Sequence, residues 1–146
     1  MATPTKFYQL VTDIAGGYHD GCLNASTDAL YVALIEAASQ PTTATDAVWA
    51  NISGDEITGS GYTSGGSDVQ NTDDTTNGVI TVDGTNIVWT ATASDWDAMR
   101  YPVLYNFTQT SPLKPLMLWY DYGSSVTLLN TETFTFNITS TLFTIS

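Results

Sequence analysis

The residues able to do chemistry are few and scattered. The chain has one imidazole, His19, in the run Gly16-Gly-Tyr-His-Asp-Gly21, and one thiol, Cys22, three residues further on. Nucleophilic catalysis needs a Ser or Cys beside a base that a third group holds in place. Asp20 adjoins His19, but neighbours in sequence rarely face each other, and no oxyanion-hole signature accompanies the pair. We therefore read His19 as an ordinary loop histidine. Zinc needs four Cys or His ligands, and these two fall short. Calcium needs oxygens. The run Asp68 to Asp74 holds Asp68, Asn71, Asp73 and Asp74 close together but lacks the EF-hand spacing of Gly at position six and Glu at twelve. It reads as a solvated acidic turn, with a weak surface Ca²⁺ site as the alternative. Asp95 and Asp97 flank Trp96. Paired carboxylates can hydrolyse glycosides, and a tryptophan between them can serve as a sugar platform. The plainer reading has Trp96 closing one end of the core. Arg100, the only arginine, stands where an aromatic segment begins. Asp97 and Asp121 are its candidate partners, and its alternative role is to anchor an interface. No cofactor is expected.

Composition narrows the classes further. The 146 residues are the size of one domain, which we place over 1–146 with an extended arm at residues 1–6. Only 12% of residues are charged, well below the usual ~25%. The substitutes are Ser, Thr and Asn, which suit strands and turns better than helices. Three basic residues face fifteen acidic ones, for a formal net charge of −12. Binding nucleic acid through phosphates needs clustered Lys and Arg, so that class is excluded, and anionic membranes are disfavoured. With a single cysteine there is no intramolecular disulfide, and folding does not depend on an oxidising compartment. The opening residues lack the apolar core of a signal peptide, and no stretch approaches the ~20 apolar residues of a membrane helix. We expect a soluble protein made in the cytoplasm.

The elements that would position these residues are mostly strands. Residues 7–14 (FYQLVTDI) show helical spacing that Gly16-Gly17 stops, which predicts a short helix. The run Ala29–Ile35 reads equally as a buried strand or a helix capped at Thr27 or Asp28, and we take the strand. One helical turn is expected within Asp46–Ile57, with Trp49 and Ile52 on one face. The block Thr58–Ser67 holds four glycines around Tyr62, a density that implies φ > 0 or close backbone approach. It has no Gly-Lys-Ser/Thr and so is not a phosphate cradle. A hairpin is expected from Gly78–Val82 to Ile87–Thr92 through an Asp83-Gly84 turn, with Val69–Asn77 as a polar connection.

Two aromatic segments, Tyr101–Phe107 and Leu116–Tyr122, predict a central hairpin. Pro102 would place its strand at an edge or beside a bulge. In the first segment Tyr101, Val103, Tyr105 and Phe107 share a face. In the second Leu116, Leu118, Tyr120 and Tyr122 do. Strands over Val126–Leu129, Thr133–Ile138 and Leu142–Ile145 close the chain, with Phe134, Phe136 and Ile138 inward. About seven or eight strands at spacings near ten residues predict an all-β antiparallel β-sandwich, jelly-roll-like, with a short N-terminal helix.

Four blocks carry a resemblance. They are GSGYTSGG (Gly59–Gly66), RYPVLYN (Arg100–Asn106), PLMLWYDYGS (Pro115–Ser124) and TETFTF (Thr131–Phe136). Together with FYQLVTDIAGGYHD and LFTIS, they make the chain similar over nearly its whole length to a family of small virion structural proteins of tailed bacteriophages. A family glycine before Glu-Thr-Phe is replaced here by Thr131. The resemblance implies a capsid decoration (cement) protein that binds the outer capsid surface and stabilises the shell. Its partner would be the major capsid protein, its location the virion surface, and its state a homo-oligomer, dimer or trimer. The alternative is a tail or fibre component that binds a receptor or carbohydrate, with Trp96 or Trp49 exposed for it. Lys6, Phe7, Tyr62, Trp96 and Arg100 are the candidate protein-interface residues, and residues 1–6 could reach a neighbouring subunit. No enzymatic activity is expected.

Overall fold

The computed structural model describes residues 3–19, 28–138 and 141–146. Among them lie ten strands and one α-helix, arranged in antiparallel sheets. The chain is an all-β protein with a short N-terminal helix. In order, the elements are β1 (Thr5–Lys6), α1 (Gln9–Ala15), β2 (Leu30–Glu36), β3 (Ser67–Asp68), β4 (Thr72–Thr76) and β5 (Val79–Asp83). Then come β6 (Ile87–Thr90), β7 (Met99–Asn106), β8 (Leu116–Trp119), β9 (Thr133–Phe136) and β10 (Thr141–Ile145). Short 3-10 turns at Trp49–Asn51 and Ser53–Asp55 stand where the helical turn was expected.

A five-stranded sheet in the order β1-β8-β7-β2-β3 forms the centre. One face packs Leu30, Val32, Leu34 and Leu104 against Val82, Trp89, Phe134, Phe136 and Leu142 of the two smaller sheets. The other face packs Ala33, Ile35, Tyr101, Val103 and Tyr105 beneath Phe7 and Ile52, with Trp49 against them. Burial on both faces explains why Ala29–Ile35 reads as an unbroken apolar run: a strand covered on both sides has no polar face to alternate with. Trp49 lies flat on Tyr105, with ring centroids 4.7 Å apart.

Pro102 occupies a central strand, not an edge, with β2 on one side and β8 on the other. It stands opposite Leu34, whose N–H and C=O both point away from β7, toward Tyr62 Oη and the Ile57 N–H. The missing N–H therefore faces β8. There Tyr120 N–H donates to the Pro102 carbonyl and Tyr122 N–H to that of Arg100, but Pro102 returns no bond. Regular pairing of β8 stops one residue earlier, at Trp119. A register shift between Leu104 and Tyr105 also changes the expected faces of β8. Leu116 joins Trp119 in the second cluster, while Met117, Leu118 and Tyr120 all enter the main core. One extra residue in a ladder reverses the parity beyond it.

The second expected hairpin is displaced. β5 does not pair with β6. It pairs with β4 and β10, and β6 pairs with β9. The turn is Asn77-Gly78, with φ of 53° and 77°, the geometry of a tight hairpin that wants positive φ at both central residues. Thr72–Thr76, expected to be a polar connection, is the partner strand. Val126–Leu129 forms no strand and makes only a single bridge, Val126 to Met99. In β9 the expected alternation holds, with Phe134 and Phe136 buried between exposed threonines.

Candidate functional site

Glycine spacing positions the region around Tyr62. Gly66 has φ +77°, and a Cβ there would collide with the Val32 carbonyl. Gly61, at φ +93°, would likewise strike the Thr90 carbonyl. The loop therefore lies directly on two strand backbones, which only glycine permits. Glu56, almost buried, gathers what the loop presents. Its Oε1 accepts from Tyr62 Oη at 2.7 Å and from the Gly65 N–H at 2.6 Å, and its Oε2 accepts from Ser64 Oγ at 2.8 Å. Tyr62 Oη in turn accepts from the Leu34 N–H at 3.0 Å. Burial, reinforced by the Glu56 carboxylate, pushes the Tyr62 phenol far above its usual range and keeps it a donor. Tyr105 Oη donates to the Gly65 carbonyl at 2.6 Å. This network uses its polar atoms internally and fixes the loop to β2 and β7.

Trp96 belongs to the same construction. It is 3% exposed, donates its indole N–H to the Ser60 carbonyl at 2.9 Å and meets Tyr62 edge-on. It is neither an interface residue nor a sugar platform, because its faces are taken up by the glycine block. Asp95 and Asp97 are also occupied. Asp95 accepts from the Asn130 N–H, and Asp97 accepts from the Thr58 N–H and hydroxyl, bonds that hold its carboxyl below the usual range.

Phe7 is completely buried under the second face of the central sheet, so it too is core rather than interface. Thr5 and Lys6 pair with Trp119 and Leu118 of their own chain, so this part of the expected arm is a short edge strand. Met1 and Ala2 lie outside the described residues. Lys6 remains exposed. Arg100 makes a two-point contact with Asp121, Nε to Oδ1 at 2.7 Å and Nη2 to Oδ2 at 2.9 Å, and lies over Tyr101. That bond holds the Asp121 carboxyl below its ordinary range. The anticipated pairing is present, on a surface that leaves both groups partly exposed.

The acidic run separates rather than converging. Asp68 accepts from Gln70, Asn71 turns inward to take the Leu30 N–H, and Asp73 and Asp74 alternate along β4. Among the described residues no group of three His, Cys, Asp or Glu is placed to hold a metal. Asp20 and Cys22 lie outside the described residues.

Sequence reasoning missed three features. His19 lies in a turn, as expected, but is buried. Its ring sits 4.0 Å from Asp13 on α1 and 3.5 Å from the Asn106 amide on β7, and burial lowers its pKa against the opposing pull of Asp13 and Asp28. Second, Tyr8, just before α1, and Val11 on it are exposed, at 66% and 55%. Val11 borders a groove of about 450 Å³ with Leu10, Ile14, Leu118, Phe143 and Ile145, and Lys6 at its rim. The helical spacing of residues 7–14 held that signal, since it supplied more apolar positions than one buried stripe uses. Third, a cleft of about 310 Å³ opens between Tyr120, Tyr122 and β9. No family model, no curated protein and no solved structure matches this chain.

Proposed function

We propose that this is a structural protein of a tailed-bacteriophage virion, of the capsid decoration type, acting through protein–protein contact. The groove beside α1 carries the reading. In a chain with fifteen acidic residues, it is lined by apolar side chains together with Lys6, Thr144 and Ser146, and by no Asp or Glu side chain. Contact there buries apolar surface without desolvating like charges, while the remaining acidic surface keeps the free protein dispersed. The four resembling blocks point the same way. Their residues build the glycine platform, the central hairpin and β9, so they describe a scaffold. The occupant of the groove is the major capsid protein, and decoration stabilises the shell by bridging neighbouring capsid subunits as a symmetric oligomer.

The test compares particles assembled with and without the protein by calorimetry and by co-sedimentation. Decorated particles should melt at higher temperature. The Val11→Asp variant, altered at an exposed site, should fold normally yet fail to sediment with particles. Identical melting with and without the protein, or undiminished binding of Val11→Asp, would refute the proposal.

A further inference from the structure

The cleft beside β9 is bordered by four consecutive residues, Phe134, Thr135, Phe136 and Asn137. Side chains alternate across a strand, so four in a row can border one cleft only along the strand's backbone edge. The hydrogen bonds settle which groups line that edge. The Glu132 carbonyl accepts from Ala91, next to β6, and the Ile138 N–H donates to Asn86, on the chain leading into β6. Even-numbered residues thus direct their backbone groups toward β6. In an antiparallel ladder the alternate residues direct theirs the other way. Thr133, Thr135 and Asn137 therefore aim N–H and C=O at the open side, where no further strand of the described residues lies.

Two more observations mark this edge as a place to dock. Tyr120 lines the cleft at 2% exposure and gives it an aromatic wall. The cleft is also uncharged and aromatic, with Tyr122 53% exposed and packed edge-on against Phe134. Proteins usually guard free edges with charge. The free edge of β4 fits that habit, carrying Asp73 and Asp74. The β9 edge has no such guard.

We infer that the β9 edge accepts an extended, uncharged peptide segment of a partner polypeptide as an added strand. Backbone bonds to Thr135 and Asn137 supply affinity, and an apolar side chain enters the cleft between Tyr120, Tyr122 and Phe134. The site shares no lining residue with the α1 groove and does not depend on the capsid reading.

The test is selection from a random-peptide display library against the intact protein, with amide-resolved NMR and hydrogen exchange on the selected complexes. Selected peptides should alternate apolar and polar residues and slow exchange at Thr135 and Asn137 by about tenfold or more, the factor that ~1.4 kcal/mol of added protection produces. N-methylation of the peptide backbone should abolish binding. The inference fails if no peptide is enriched over an unrelated protein, or if enriched peptides map away from β9. It also fails if N-methylated peptides bind equally well, which would show an apolar pocket and not a strand-addition site.

Discussion

Replacing Tyr120 with Phe should stabilise the free protein, the opposite of what deleting a core hydroxyl usually does. The ring fills space in the main cluster and meets Phe136 edge-on at 5.1 Å, and Phe preserves both contacts. Only the oxygen is lost, and that oxygen is buried without a partner. An unsatisfied buried hydroxyl costs about 1–3 kcal/mol, and the lower half of that range suits a group beside an open cleft. A gain of about 1–2 kcal/mol follows. With an unfolding entropy near 2.1 cal/mol/K per residue, a chain of this length has roughly 0.3 kcal/mol/K, so the melting temperature should rise by about 3–7 °C. Calorimetry and urea titration should agree on the sign, with the urea slope unchanged. A fall in melting temperature would mean that the hydroxyl is bonded in solution.

Other expectations rest on separate parts of the molecule. His19 has a folded pKa below its unfolded value of 6.5, so the unfolded chain takes up the proton first. Stability is then complete above about pH 6.5 and is lost as pH falls from there toward the folded pKa, at a slope of up to ~1.4 kcal/mol per pH unit. Urea midpoints between pH 8 and pH 5 should show this loss, and His19→Gln should flatten it; an unchanged slope in that variant would shift the cause to other groups. Gly66→Ala places a Cβ against the Val32 carbonyl at a positive φ and should cost at least ~2 kcal/mol, whereas Gly54→Ala, with open space around it, should cost little. Equal melting temperatures for the two would contradict the close approach of the glycine loop to β2. Glu56→Gln should loosen the same loop, read as faster amide exchange at Gly65, since three donors converge on that carboxylate.

Local patterns in the chain determined the element types. Alternation in Thr133–Phe136, the paired aromatic segments and the Gly16-Gly17 stop are each decided by neighbours within a few residues, and each stands where expected. The unbroken run Ala29–Ile35 read equally as a strand or a capped helix, and only its place at the middle of a sheet covered on both faces decided for the strand. Tertiary structure decided the partners. Asp83-Gly84 and Asn77-Gly78 are both good turn pairs, and only the packing of Val82 and Leu142 against the main core, with β5 between β4 and β10, selected the second. The same holds for the individual side chains. Phe7 and Trp96 looked available for a partner, yet each is enclosed by segments far away in the chain: Trp96 by the glycine block, Phe7 by the central sheet. His19 read as an ordinary loop histidine, and Asn106, 87 positions later, lies beside it in the interior. Tyr120 and the β9 edge had no sequence signature, because an unpaired backbone is a property of what does not lie alongside a strand. Burial and pairing are sums over distant contacts, so a linear reading recovers the strands and leaves their surroundings to the fold.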